Sequence, residues 1–514
     1  MKKIMKKMAA LGLAAVMVLG GCAEKTEEEP IIVEPEEEVV EIVEPEEITE
    51  TEEVLPLSVN VTTNYKNYYV DDSEESYLYL QYCDVEVNGD EYANLKRSVE
   101  NWSMERSEGL RGLYVNFEES AVAAQEENEE FLGYSLYQNV TTARADGRIL
   151  SLRDDTYQYV GGAHGMFYRE GINFDSKTGK RLTLRDLVLD WDNFAQEASA
   201  CVIYNLKENY GEELFPDYIE TIEAMWQDEN QEPAWYLDGS SLVIVLQEYL
   251  VGPYAIGAPE IHLSYVEFSQ YLNNAYLPGT DSGVAIFQEN QELYLNLPGI
   301  YEEVPMMLQY EWTDTGANCS LWLGENEKSM DYFDVLKDAY IVYVGEEIYC
   351  LIEVDMASND YVTYVYRLTD GVIEEVTALN AAIDQGNVNA EAIQMEFRVY
   401  LLGTYRAMKT YEFDENGRFV TEDTEYVLSG NEYALTTVVD LPVLMDEEET
   451  ENILPAGSSM ILTATDDETY VKFKLQETGQ TGVLKVERNE EEPYLITVNG
   501  MEERECFEML PYAG

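Results

Sequence analysis

The sequence predicts an α+β chain: an antiparallel sheet with covering helices in the N-terminal half, followed by a β-rich C-terminal region ending in a small barrel. Three observations lead there. Residues 157–187 read in order as a strand, a glycine bend, a second strand, a tight turn and a helix start. Residues 91–130 form one long amphipathic stretch. Residues 340–375 hold short apolar or alternating runs separated by turn residues.

Taken in order, residues 57–62 alternate and residues 75–87 offer further strand. In the long helix, Tyr92, Leu95, Val99, Trp102, Leu110, Leu113 and Val115 are the expected apolar-face residues. Residues 132–142 and 148–152 read as strands paired around Ala145-Asp146-Gly147, a hairpin signal. Residues 157–160 are aromatic and β-branched, and Gly161-Gly162-Ala163 removes side chains where that strand ends, so the backbone can bend. Residues 166–174 give the second strand, and residues 175–180 a polar turn with Gly179 free to take positive φ. Thr183-Leu184-Arg185-Asp186 matches a capping box. Residues 188–210 and 215–226 are amphipathic helices, and residues 241–246 a buried strand.

A loop at 277–282 separates this module from the C-terminal half of the chain. Residues 283–446 are β-rich, with turns at Asn359-Asp360 and Asp370-Gly371 and an Asn416-Gly417 hairpin. Residues 387–401 read as a helical or mixed insertion. Residues 452–514 read as the terminal barrel.

The first 56 residues are of another kind. Lys2, Lys3, Lys6 and Lys7 precede a short apolar core at 8–18, the pattern of a secretion signal over 1–21. Residues 22–56 are nearly all Glu, Val, Ile and Pro, and Val-Glu-Pro-Glu-Glu recurs at 33 and 43. Like charges repel and proline stiffens, so this segment reads as an extended, disordered tether. At roughly 3 Å per residue it reaches on the order of 100 Å. No later stretch is apolar enough to span a bilayer. The chain of 514 residues carries a formal charge of -71, which argues against nucleic acid and favours basic partners, cations or plain solubility.

Several of these segments resemble known families. Leu19-Gly20-Gly21-Cys22 resembles the lipobox of bacterial lipoproteins, which implies lipid attachment at Cys22 and a place on the extracytoplasmic face of the cell membrane. Tyr159 to His164, Phe174 to Lys180 and Leu182 to Leu187, with a strand at 242–246 and Gly252-Pro253-Tyr254-Ala255-Ile256-Gly257, resemble the extracytoplasmic domain of the RsiV anti-sigma-factor family. The resemblance covers about residues 57–272. Its front half is similar to the N-terminal domain of PdaC-type polysaccharide deacetylases. It points to Tyr159, Gly161, Gly162, His164 and Tyr254 as family-motif binding residues. Residues 452–514 resemble bacterial SH3-like modules.

No catalytic signature stands beside these motifs. No nucleophile elbow flanks a serine, no His-Glu-x-x-His is present for zinc, and Gly179-Lys180-Arg181 lacks the rest of a phosphate loop. Residues 414–425 have the length of an EF-hand loop but the wrong residues at its ligand and glycine positions. The catalytic motifs of the deacetylases are missing, and nothing calls for a cofactor or a metal. Beyond Cys22 there are five cysteines, read as lone buried thiols.

The expected function is therefore a membrane-anchored, extracytoplasmic binding lipoprotein. The resemblance implies a basic, envelope-directed partner such as lysozyme. The alternatives are a cell-wall glycan or peptide-binding accessory protein, using an aromatic group of Trp235, Tyr236, Tyr249 and Tyr254, or an envelope hydrolase. The hydrolase needs His164 in an open cleft as general base, with a carboxylate such as Asp175 or Asp186 to orient it.

Overall fold

In a computed structural model, the described residues run from 56 to 512, apart from 70–75, 128–132, 228–231, 280, 298–302, 314–315, 331–333, 357–359, 370, 431–432, 446–449 and 490–494. The signal segment, Cys22 and nearly all of the acidic segment lie outside them. Residues 54–514 form one compact unit.

The chain opens with two long antiparallel strands, β1 (Ser58–Tyr69) and β2 (Ser76–Asn88). The helix α1 (Ala93–Glu127) then carries the chain across the sheet to β3 (Tyr134–Asp146), which pairs with β2 in parallel. Parallel neighbours need a crossover rather than a hairpin, and α1 supplies it. The sheet is thus antiparallel except at this junction. The buried face of α1 packs Leu110, Tyr114 and Ala121 onto Leu78, Leu80 and Leu136. Leu113 and Val115, expected on that face, are exposed. Tyr114 takes the inward position between them, because helical period past Trp102 carries the stripe through Ser103, Ser107 and Leu110, and both serines are buried as hydrogen-bond partners of β2.

After β3 come β4 (Ile149–Tyr159) and β5 (Met166–Asp175), a continuous antiparallel meander. The Thr183 capping box forms as expected and starts the short α2 (Leu184–Leu187). Helices α3 (Trp191–Tyr210) and α4 (Tyr218–Met225) come next, then a three-stranded sheet of β6 (Ala234–Leu237), β7 (Ser241–Val245) and β8 (Glu260–Ser264). Phe194, Val202, Leu206, Ile222 and Trp226 form one core with Leu242, Ile244 and Leu263.

β9 (Gly283–Ile286) lies between β3 and a strand far downstream, β14 (Val335–Val344). Through it, β15 (Glu347–Asp355), β16 (Tyr361–Thr369) and β17 (Val372–Leu379) continue the first sheet. Between β9 and β14 a separate sheet is made by β10 (Glu292–Leu295), β11 (Val304–Thr313), β12 (Gly316–Leu323) and β13 (Asn326–Met330).

The stretch expected as a helical or mixed insertion is two strands, β18 (Ala381–Val388) and β19 (Ile393–Val399). Its polar Asn387 and Asn389 are buried, and each side-chain amide replaces a strand neighbour. Asn389 accepts from Val59 N at 2.7 Å and donates to Val59 O at 2.9 Å; Asn387 does the same at Val61, at 2.8 and 3.0 Å.

The terminal barrel is not present. Strands Ser459–Thr465, Tyr470–Leu475 and Thr481–Lys485 belong to an eleven-stranded sheet that begins at β18, and among the described residues no sheet closes on itself. Closure would need the outer strands of the segment to pair with each other. Instead Ser459–Thr465 bonds to Tyr426–Leu428, and Thr481–Lys485 to Leu441–Met445. The molecule is accordingly more β-rich than expected.

Candidate functional site: an exposed aromatic face

His164 sits where the glycine bend ends. Gly161 and Gly162 have φ of 90° and 99°, a region that residues with a Cβ rarely enter, so the bend requires glycine there. Tyr159 closes the bend, its hydroxyl donating to Gly162 O at 3.1 Å. Beyond it, His164 is exposed. Its Nδ1 lies 2.9 Å from Gly165 O; a carbonyl only accepts, so Nδ1 carries the proton. In the neutral ring Nε2 then accepts from the Tyr249 hydroxyl, at 3.2 Å. The Tyr254 ring stacks on the imidazole at 3.9 Å between centroids and 15° between planes. Tyr249 and Tyr254 remain 44% and 38% exposed, so the stack presents its free faces to solvent.

The turn that carries Tyr249 is fixed to the edge of β5. Gln247 accepts from Arg169 N at 3.2 Å and donates to Arg169 O at 2.6 Å, and Glu248 accepts from Phe167 N at 2.9 Å. Tyr249 itself has φ of 63°, a strained value for a residue with a ring to place. Arg169 ties β5 onward, with a two-pronged pair to Asp155 at 2.6 and 2.7 Å and a bond to Glu260 of β8 at 2.7 Å. The tyrosine is therefore held over His164 by a braced loop.

A second aromatic group lies on the strands that lead into the bend. Tyr65, Tyr79, Tyr137 and Tyr157 form a ladder across β1, β2, β3 and β4, with successive centroids 6.1, 4.8 and 6.2 Å apart. The register places them on one face: Tyr137 lies opposite Tyr157, Gln81 opposite both Tyr65 and Tyr137, and Tyr79 two residues along from Gln81. This is the face away from α1, because Lys66, next to Tyr65, points the other way and lies over Tyr114 of that helix. Tyr65 and Tyr137 are exposed, Tyr79 and Tyr157 half-buried. The last ring of the ladder lies against Gly165, the residue after His164, where an added Cβ would lie 2.3 Å from Tyr157 Cζ.

The expected residues thus divide. Tyr159, Gly161, Gly162, His164 and Tyr254 are together, with Tyr249. Trp235 and Tyr236 are not on the surface: both are buried, since β6 is the inner edge of the helix-covered sheet and the Tyr236 hydroxyl is spent on Glu260 at 2.8 Å. The Tyr65–Tyr157 ladder was missed, although alternate tyrosines in neighbouring strands were its signal. Asp175 and Asp186 do not orient His164. Asp175 closes its own turn through Thr178 and accepts from Tyr276, while Asp186 is used by the capping box and Lys180. Among the described residues no carboxylate bonds to His164, so the hydrolase arrangement is not assembled there.

The other histidine belongs to a buried cluster. His262 Nδ1 approaches Ser241 Oγ at 2.9 Å and Asp238 at 3.3 Å, and Ser241 Oγ donates to the same carboxylate at 3.0 Å. Burial opposes the charged imidazole, but the Asp238 hydrogen bond and charge outweigh it and raise its pKa. Ser241 and Asp238 are fully buried, so this serine has no access to a substrate. It fastens the β6–β7 turn, whose Gly239 N donates to Ile286 O of β9 at 2.9 Å. The five described cysteines are free thiols, four of them buried; burial pushes Cys83 up to about 11 and Cys319 up to about 12, which leaves them unreactive. The described residues hold no His, Cys, Asp and Glu cluster suited to a metal.

Two segments of the chain match known families. Residues 84–167 match the family described as "Deacetylase PdaC", and residues 186–266 match the "Protein of unknown function (DUF3298)" family. Two solved structures of DUF3298 family proteins are similar. One, from Bacteroides fragilis, has 16% identity and a TM-score of 0.33, over 43% of this chain and 94% of its own. The other, from Pseudomonas aeruginosa, has 19% identity and a TM-score of 0.31, over 44% of this chain and 98% of its own. No curated protein matches.

Proposed function

We propose that this chain is a binding protein of the bacterial envelope, held outside the cell membrane by a lipid on Cys22 and the acidic segment after it. Its ligand is an extended cell-wall glycan, taken up by the aromatic face. The observation that carries this reading is the row of tyrosines from Tyr65 to Tyr157 together with the open His164–Tyr254 stack on the bend that follows β4. Aromatic rings offer flat apolar faces to the C–H faces of sugars, and their hydroxyls and amide neighbours supply polar contacts at the rims. The resemblance to the N-terminal domain of PdaC-type polysaccharide deacetylases, whose family model matches residues 84–167, favours a polysaccharide as the ligand class. The RsiV-like motifs and the charge of -71 favour a second reading, in which a basic envelope-directed protein such as lysozyme is the ligand.

Co-sedimentation of the chain with purified insoluble peptidoglycan, beside capture on immobilised basic lysozyme, separates the two. Stacking on sugars survives moderate salt, whereas attraction between exposed opposite charges fades with it. Binding to peptidoglycan that persists in moderate salt supports the first reading. Salt-resistant capture of lysozyme alone supports the second, and binding to neither bait refutes both.

A further inference from the structure

A cleft lined by residues away from the aromatic face has a volume of about 820 Å³. One wall is a strand edge: residues 292–297 line it consecutively. β10 pairs with β11 from Glu292↔Met307 to Leu295↔Val304, and among the described residues it has no strand on its other side. An unpaired edge presents a row of backbone N–H and C=O groups ready for another chain. The edges of β1 and β5 are closed by side chains, β1 by Asn387 and Asn389 and β5 by Gln247 and Glu248. Among the described residues, neither a strand nor a side-chain amide pairs with the outer edge of β10.

The facing walls are fixed. Arg148 donates to Leu277 O at 3.2 Å and pairs with Asp281 at 3.0 Å, and Arg144 donates to Tyr276 O at 2.8 Å, which together set the 277–279 loop. Tyr265 is anchored to Asp238 O at 3.0 Å. At the third side, Gly345 N donates to Ser282 Oγ at 2.9 Å and positions Glu346. The cleft therefore exists before a ligand arrives, and little ordering is needed on binding.

Its charge selects the occupant. Glu292, Glu303 and Glu346 line it, no Lys or Arg does, and among the described residues none of the three glutamates is in an ion pair. Tyr294, exposed beside Glu292, offers a ring face to a cation. We propose that this cleft takes an extended, basic peptide segment of another protein as an added strand on the open edge of β10. Main-chain hydrogen bonds would give the affinity, and lysine or arginine side chains reaching the glutamates the selectivity.

The test uses the full chain in mild detergent and three labelled peptides of equal length, alternating lysine–valine, glutamate–valine and lysine–proline. Fluorescence anisotropy should show binding of the first, none of the second, and at least about tenfold weaker binding of the third, because proline removes ladder donors. Hydrogen exchange should slow at the amides of 292–297 on adding the lysine–valine peptide. Replacing Glu292 and Glu346 by Gln should weaken it about fivefold and flatten its salt dependence, as the loss of partly exposed pairs would. Equal affinity for the lysine–proline peptide, unchanged exchange at 292–297, or no binding of the lysine–valine peptide would each overturn the proposal.

Discussion

Glu353 shows what a single buried carboxyl does to this molecule. It is buried between β15 and β18, where its Oε2 accepts from Ile383 N at 2.6 Å. Burial pushes it up to about 8; the neighbouring Asp338 adds to the shift, and the Ile383 amide opposes it. The folded chain thus holds this proton over a range in which an unfolded chain has released it. For such a group, stability is highest below the ordinary carboxyl range and falls as pH rises toward about 8. The Glu353→Gln variant keeps the acceptor for Ile383 and removes the charge. It should melt higher than the parent at pH 8 and nearly with it at pH 4.5, measured by thermal unfolding at both. Gly165 makes a second prediction. A methyl there collides with Tyr157, so Gly165→Ala should cost about 1–3 kcal/mol by denaturant unfolding, and weaken glycan binding by displacing the ring. At this scale the sequence was legible where chemistry is local: the Gly161-Gly162 bend and the Thr183–Asp186 box arise from neighbours a few residues apart. Gly165 was not, because its reason is a ring from the adjacent strand.

Among elements, the recurrent device is a side-chain amide standing in for a missing strand. Asn387 and Asn389 seal β1, and Gln247 with Glu248 seals β5 while holding Tyr249 over His164. Replacing Asn387 or Asn389 by Ala leaves a buried donor and acceptor of β1 unpaired. Each orphaned group costs roughly 1–3 kcal/mol, and the freed edge invites pairing between copies. Unfolding in urea should show the loss, and light scattering the self-association. These same residues explain the misreading of 387–401. The buried asparagines at 387 and 389 and the polar turn after them read as insertion, although Ile393, Met395, Phe397 and Val399 of β19 alternate as a strand does. The α1 helix was legible by its period, but past Trp102 its inward stripe was legible only at Leu110, because buried Ser103 and Ser107 continue it with polar residues.

In the whole molecule, chain order and sheet order separate. β9 joins β3 to β14, so strands near residue 60 and near residue 375 share one sheet, and one core holds Val59 and Val61 with Ile383, Val388 and Ile393. Hydrophobic pattern gives strands, not partners, and this is why the strands at 459–485 of the expected barrel joined a larger open sheet, while those at 487–502 form a small sheet of their own. The same assembly makes the aromatic face: its residues come from β1, β2, β3, β4, the bend after β4 and the loops before β8, and only the last two were grouped by motif. The central claim is that this face takes an extended glycan. The most direct test is the affinity of the chain for soluble peptidoglycan fragments by calorimetry, comparing Tyr137→Ala and Tyr254→Ala with Tyr204→Ala, an exposed tyrosine of α3 outside the face. Loss of stacking at one ring is worth about 1–2 kcal/mol, or roughly a tenfold weakening. The account predicts that loss for Tyr137→Ala and Tyr254→Ala and none for Tyr204→Ala. Equal affinity of all three variants and the parent would contradict it.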